Sequence, residues 1–328
     1  MAKHAATPLN SRLVIYAGIA GGIAVAITKF AAALFTGSSA MMSEGVHTLV
    51  DTGNSLLLVY GMNRAEKKPD SDHPLGYSRE IYFWSFVVAV LVFSLGAGLS
   101  FYEGISHILN PKPIQDPMVN YVVLAVSALF DLPTWWLALR NFQREENLGG
   151  LFAKFRDSKD PAEFMTFFEN TASVLGLLSA AAGIYFSTLF HQPVLDGVAS
   201  LAIASVLAIT AILLARETKG LLIGEPADEA VVESICRIAQ GIPGVIHTNG
   251  VLTAQLGPEK IIALLSIEFS DSLRTPEIEQ KVIEIEKRVR SHHGEVTALF
   301  IKPQTAAAYR KLRRSRLLNG EPAKSTPI

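Results

Sequence analysis

MMSEGVHTLVDTGNSLLLVYG, residues 41–61, is the stretch that decides how this chain is read. It is long and apolar enough for a membrane span, and it carries His47 and Asp51 one helical turn apart. Residues at i and i+4 share a face of an α-helix. Ionisable groups at membrane depth are costly, and where they occur they mark function by default. An imidazole nitrogen beside a carboxylate oxygen is half of a tetrahedral site for a borderline divalent metal such as zinc. The same pair would also suit a proton relay, or hold a bundle together through buried hydrogen bonds.

Working outward, stretches at 13–35, 41–62, 81–102, 119–139, 164–189 and 194–215 approach span length, six in all. About 20 residues cross about 30 Å of hydrocarbon. The composition agrees: 49% of the 328 residues are hydrophobic and the mean hydropathy is +0.31, the profile of an integral membrane protein. Gly37-Ser38-Ser39 predicts a tight turn that makes the first two spans antiparallel neighbours. Asn110-Pro111-Lys112-Pro113 and His191-Gln192-Pro193 punctuate later connections. The first apolar run outlasts a signal-peptide core and has no small-residue cleavage pattern, so it reads as a retained span. Arg64, Lys67, Lys68 and Arg79 lie between spans two and three, and Arg140, Arg144, Lys154, Arg156 and Lys159 between four and five. The positive-inside rule then places both termini in the cytoplasm.

Beyond Arg216 the pattern becomes that of a small water-facing domain. Residues 228–240 and 275–289 read as amphipathic helices, and 245–255, 260–269 and 296–302 as strands, with Leu256-Gly257-Pro258 as a turn. This order predicts an α+β layer with helices on one face of a small sheet. The expected organisation is a cytoplasmic segment 1–12, a six-helix transmembrane bundle 13–218, a cytoplasmic α+β domain 219–308 and a flexible basic tail 309–328.

If His47 and Asp51 are half of a site, another span must supply the rest. Glu169 and Asn170 sit about as far into span five as His47 and Asp51 sit in theirs, and Glu169 is the better ligand because a carboxylate supplies charge. The alternatives are that Glu169 snorkels and Asn170 bonds a neighbouring helix. Lys29 reads as a snorkelling side chain, with neutralisation of a site carboxylate as the other option. Asp131, followed by Pro133, reads as an inter-helix hydrogen bonder, and Asp196 as the cap of its own span. In the loop Asp70-Ser71-Asp72-His73-Pro74-Leu75-Gly76-Tyr77, Asp70 and His73 make a candidate second cation site, against the alternative of a self-bonded loop. His247 and the pair His292-His293 are candidate surface ligands in the C-terminal domain.

Several classes are excluded. A net charge of −1 gives nucleic acid no electrostatic footprint. The single cysteine, Cys236, rules out a thiolate cluster. No GxxxxGKS, nucleophile elbow or HExxH is present, so no enzyme, no cofactor and no ATP-driven step is expected. Any ion movement would be driven by a gradient.

The run TGSSAMMSEGVHTLVDTGNSLLLVYG (36–61) strongly resembles the first-to-second-helix signature of the cation diffusion facilitators, and DHPLGYSREIYFWSF (72–86) resembles their HPxGxG-type segment. FFENTASVLGLL (167–178), LDGVASLAIA (195–204) and LLIGEPAD (221–228) are most similar to the branch that holds mitochondrial-type zinc transporters and bacterial relatives. The resemblance implies six spans followed by a cytoplasmic ferredoxin-like domain. It implies a homodimer that exchanges Zn²⁺ or a similar divalent ion for protons, with a bacterial inner membrane as its expected place. His47 and Asp51 match the helix-two ligands. The family's helix-five His-x-x-x-Asp pair falls on Thr166 and Asn170, which leaves Glu169 as this branch's substitute. Asp70 and His73 match two loop-site ligands, with Tyr77 where a second His is usual. His247 matches one ligand of the cytoplasmic domain, while Ser266 and Lys302 fall at or near others. His47 is the natural proton carrier of such an exchanger, since a histidine's unperturbed pKa lies at about 6.5. The alternative from another class is a membrane-embedded metal sensor or scaffold that no longer transports. A third, an intramembrane hydrolase, lacks a general base beside an open site.

Overall fold

Hydropathy runs broken by short turns become long helices in the computed structural model, which describes residues 8–143 and 159–318. The helices are α1 (Pro8–Thr36), α2 (Ser39–Ala65), α3 (Glu80–Leu91), α4 (Gly98–Leu109), α5 (Pro117–Gln143), α6 (Pro161–Phe190) and α7 (Val194–Ile223). A π-helical turn, Val92–Ala97, joins α3 to α4, so Glu80–Leu109 is one span-length rod. Residues 1–7, Arg144, Lys154, Arg156 and the tail from 319 to 328 lie outside the described residues.

Among the described residues, five helical stretches are long and apolar enough to cross a membrane: Gly18–Thr36, Glu80–Leu109, Pro117–Arg140, Pro161–Phe190 and Val194–Ile223. The helix missing from that set is α2. It has 27 residues, enough for about 40 Å at 1.5 Å per residue, but buried polar side chains lower its hydropathy: Ser39, Ser43, Glu44, His47, Thr52 and Asn54. It packs against α1, α3, α4 and α6. A helix in that position has no lipid-facing majority to keep apolar, so its composition follows its neighbours.

The turn between α1 and α2 uses two residues. Gly37 takes φ +74° and its amide returns to the Ala33 carbonyl at 2.8 Å, an ending that glycine makes at no steric cost. The Ser38 hydroxyl then caps α2 by accepting from the Met41 amide at 3.2 Å. At its other end α2 meets α3 closely. A side chain on Gly61 would run into Trp84, and Arg64 donates to Glu80 at 3.0 Å. Small residues serve close approach elsewhere too, with Gly183 against Ala199 and Gly104 against Gly197.

Contacts divide the chain into two units, residues 1–219 and 220–328. In the second, α8 (Glu229–Gln240) is capped by Asp228 and α9 (Thr275–His292) has Pro276 in its first turn. Strands β1 (Val245–Gly257), β2 (Lys260–Phe269) and β3 (Val296–Pro303) form a sheet in that order, β1–β2 antiparallel and β2–β3 parallel. One apolar cluster joins Ile235, Cys236 and Ala239 of α8, Ile285 and Val289 of α9, and Ala263, Leu265 and Ile267 of β2, which puts both helices on one face. The buried Cys236 thiol is pushed up to about 11, chiefly by burial, and is a packing residue rather than a reactive one. The first part of the segment expected to be a flexible tail is helical, as α10 (Ala306–Leu318). Tyr309 anchors it: its hydroxyl fills the space over Gly250 that a side chain there would occupy.

Candidate functional site

Glu44, His47, Asp51 and Asn54 recur at three- and four-residue intervals and form one stripe on α2. The stripe faces α6. A side chain on Gly176 would collide with the Glu44 carboxylate and touch the His47 ring at 3.9 Å. Two turns earlier on α6, Glu169 Oε1 accepts from Asn54 Nδ2 at 3.0 Å. The two helices therefore run antiparallel here, with Glu169 at the level of Asn54 and Gly176 at the level of Glu44 and His47.

His47 is 2% exposed, and its Nδ1 lies 3.4 Å from Asp51 Oδ1. Among the described residues, neither ring nitrogen of His47, nor Asp51 Oδ1, nor Glu44 Oε1 has a hydrogen-bond partner, although all are buried. Buried polar atoms are paired with few exceptions. Orphaned donor atoms repeated along one stripe make a place suited to a ligand that accepts lone pairs, as a divalent cation does. The stripe is not a closed cage: among the described residues no three His, Cys, Asp or Glu side chains stand close enough to hold a metal together. Of the four residues the sequence nominates, His47 and Asp51 adjoin, Glu169 is engaged by Asn54, and Asn170 lies about 100° further round α6.

Other ionisable residues behave differently from their sequence reading. Lys29 does not snorkel. It is 1% exposed and pairs with the fully buried Glu44 at 2.8 Å, while donating to Thr48 Oγ1 at 2.9 Å. Packing α1 against α2 buries its whole stem, so the ammonium finds its counter-charge inside. Asp196 does not cap its own helix. It accepts from Ser38 Oγ at 2.9 Å and from the Ser39 and Ala40 amides, so it serves the buried amides that begin α2 and lack an intrahelical acceptor. Asp131 accepts from Ser173 Oγ across α5 and α6 at 2.8 Å, the inter-helix bond its position suggests. Glu44 and Asn54 were missed by sequence reading, and their signal was spacing: each lies on the helical repeat of His47.

The loop before α3 closes on itself. Asp70 Oδ1 accepts from the His73 amide at 2.8 Å and the Asp72 amide at 3.1 Å, and Oδ2 from the Tyr77 hydroxyl at 2.7 Å. The Tyr77 hydrogen bond, followed by the His73 amide, holds the Asp70 carboxyl below its usual range, and the same bond pushes the Tyr77 phenol up. The His73 ring lies against Tyr77, tilted by 34° with centroids 4.2 Å apart, and its Nδ1 stays 3.7 Å from Asp70 Oδ1. In the second unit His247 sits opposite Glu268 in β1–β2. Ser266, beside Lys302 in the sheet, is bonded to Asn249 and Gln304 at 3.3 Å each. His293 joins Ser234 at 2.7 Å to Glu295 at 3.0 Å, and His292 Nδ1 meets the Arg288 carbonyl at 2.8 Å.

A family model described as the cation efflux transmembrane domain matches residues 15–223. The chain belongs to the cation efflux family. Similar proteins include a Homo sapiens protein named proton-coupled zinc antiporter SLC30A9, mitochondrial, 30% identical over 249 residues, which are 75% of this chain and 44% of the relative. The metal tolerance protein C4 of Arabidopsis thaliana is 26% identical over 75% of the chain and 54% of its own length. A Yersinia enterocolitica cation-efflux pump FieF is 25% identical over 81% and 84%. The chain thus spans about half the length of the human and plant relatives. These matches bear out the resemblance to the cation diffusion facilitators and to their mitochondrial-type branch. The human relative is named mitochondrial, so the bacterial inner membrane expected from sequence is without support.

Proposed function

We propose that the chain is a secondary transporter that carries a divalent metal, Zn²⁺ in the first instance, across its membrane in exchange for protons. His47 and Asp51 hold the metal, with Glu169 and Asn170 completing the set once Glu169 leaves Asn54. In this reading α2 is the sixth span, both termini face the cytoplasm, and the protein works as a homodimer. The observation that carries it is the stripe of buried lone-pair atoms on His47, Asp51 and Glu44 that have no hydrogen-bond partner among the described residues. Imidazole and carboxylate bind metal only when deprotonated, so loading the site releases protons and protonating it releases metal. The bundle rocks to expose the site to each side in turn, as spans around a midplane site do in other carriers. The Asp70–His73 loop and His247 are secondary to this path, because Asp70 spends both oxygens on its own loop.

The test is Zn²⁺ flux into proteoliposomes under an imposed pH gradient. His47→Ala and Asp51→Ala should each lower flux about a hundredfold, the upper end of the loss that follows damage even outside a metal's ligand shell. Undiminished flux in both variants overturns the site, and flux indifferent to the gradient overturns proton exchange. The bond between Asn54 and Glu169 favours one second reading, a membrane-embedded metal sensor or scaffold. Metal binding with no flux in the wild type would establish it.

A further inference from the structure

The Lys29–Glu44 pair lies one turn from His47 and has no part in the ligand set above. Both side chains are buried, at 1% and 0% exposure. Bringing two charges into a low-dielectric interior is expensive, and such a pair repays the cost in stability poorly compared with apolar packing. Its geometry is also lopsided. Lys29 reaches only Glu44 Oε2 and spends a second donor on Thr48, the residue after His47. Glu44 Oε1 is left buried and without a hydrogen-bond partner among the described residues, on the side turned to α6. There Gly176 has no side chain, and any Cβ would strike that oxygen. The bare Gly176 lets that oxygen pack against α6 close to the His47 ring, so a carboxylate that its own lysine half-neutralises stands on the helical repeat that carries His47 and Asp51.

We propose that Lys29 and Glu44 set the charge that a divalent cargo meets, with Lys29 the residue that keeps the site from holding its metal too tightly. The inference rests on the His47–Asp51 reading of the site. Lys29 offsets one carboxylate of the stripe with a tethered positive charge. Remove the lysine and Glu44 faces the cargo as an uncompensated anion; remove the carboxylate and the lysine becomes an uncompensated cation that repels it. Charges a few ångströms apart in a protein interior interact strongly enough for either change to move affinity about tenfold or more. A pair that only braces α1 against α2 makes a different prediction, since losing either partner would then harm the fold in the same direction.

The experiment is calorimetric titration of Zn²⁺ into the purified full chain, with thermal unfolding followed in parallel. Lys29→Gln should tighten Zn²⁺ binding about tenfold and Glu44→Gln weaken it about tenfold, while both lower the unfolding midpoint. The double variant should bind within about threefold of wild type. Single variants that shift affinity in the same direction, or not at all while His47→Ala abolishes binding, overturn the pair's role and leave the site standing. Binding that survives His47→Ala overturns the site, and the pair's role with it. Where Lys29→Gln does not fold, the reversed pair Lys29→Glu with Glu44→Lys keeps the bridge but puts the cation on α2. It should weaken binding at least about tenfold, and unchanged affinity overturns the proposal.

Discussion

Lys29, Glu44, His47 and Asp196 are buried in the first unit, whereas Leu252, Leu264 and Phe300 are among the exposed side chains of the second. In the first unit large apolar residues face outward, Leu34, Leu129 and Phe130 among them, while α2 buries Ser39, Ser43, Glu44, His47, Thr52 and Asn54. In the second, Leu265, Ile267 and Ile285 are inside, and charged pairs such as Arg288–Glu284 and Arg290–Glu286 are at the surface. The difference follows from the solvent. Lipid gives apolar side chains no reason to cluster, so helices in it are fixed by close packing and by polar bonds between them. Water drives the apolar cluster of the second unit together. The second unit still exposes one apolar row, since Leu252, Leu264 and Phe300 lie opposite one another across β1, β2 and β3.

If buried polar bonds fix the first unit, breaking one should cost as much as breaking a core in the second. Asp196→Ala strands the Ser38 hydroxyl and the Ser39 and Ala40 amides at the start of α2. We expect a loss of about 4 kcal/mol, from orphaned groups worth about 1–3 kcal/mol each, seen as a lower unfolding midpoint in detergent. A change below about 1 kcal/mol would break the comparison on its polar side. Leu265→Ala, in the fully covered centre of β2, should cost about 3 kcal/mol. Hydrogen exchange should rise across β1, β2 and β3 and stay unchanged in α1 and α2. Exchange that rises equally in both units would show that they unfold as one.

The smallest effect is expected at the exposed loop, where neither solvent regime dominates. Because the Asp70 carboxyl lies below its unfolded value, its bonds hold the loop above about pH 4. They let go as pH falls through the lower folded value. Tyr77 has the opposite sign, since its raised phenol keeps the bond at neutral pH and loses it as pH rises above about 10. Tyr77→Phe should bring the Asp70 titration, followed by carbonyl NMR, back towards about 3.9 while Zn²⁺ flux is unaffected. An Asp70 titration that does not move would show that the amides alone hold it.

Much of the fold was legible because its signals are local. Gly37 with Ser38, and His191-Gln192-Pro193, ended and restarted helices where expected, and Asp228 and Pro276 marked the starts of α8 and α9. His47 and Asp51 were visible because their pairing lies within one helix. The rest depends on which helices touch. Lys29 finds Glu44 fifteen residues away, and Asp196 serves a helix more than 150 residues earlier. Hydropathy scored Lys29 as a residue seeking water because nothing in one dimension shows a carboxylate across the helix gap. That Glu169 meets Asn54 was hidden for a similar reason, because spacing along either helix does not show the offset between α2 and α6. The low hydropathy of α2 has the same source, a polar face turned inward.

The π-helical turn at Val92–Ala97 gives the Glu80–Leu109 rod slack in length. A turn wound one residue wider can be tightened to an α-turn by losing a residue, or keep its extra one, without rotating both flanks of the rod. Within it the Ser94 hydroxyl binds the Val90 carbonyl at 2.8 Å. Because α2 has no such turn, one residue added between His47 and Asn54 would swing everything beyond it about 100° round the axis. A residue lost from the Glu80–Leu109 rod is absorbed at its π turn, while the helix that carries the stripe is held to a single register.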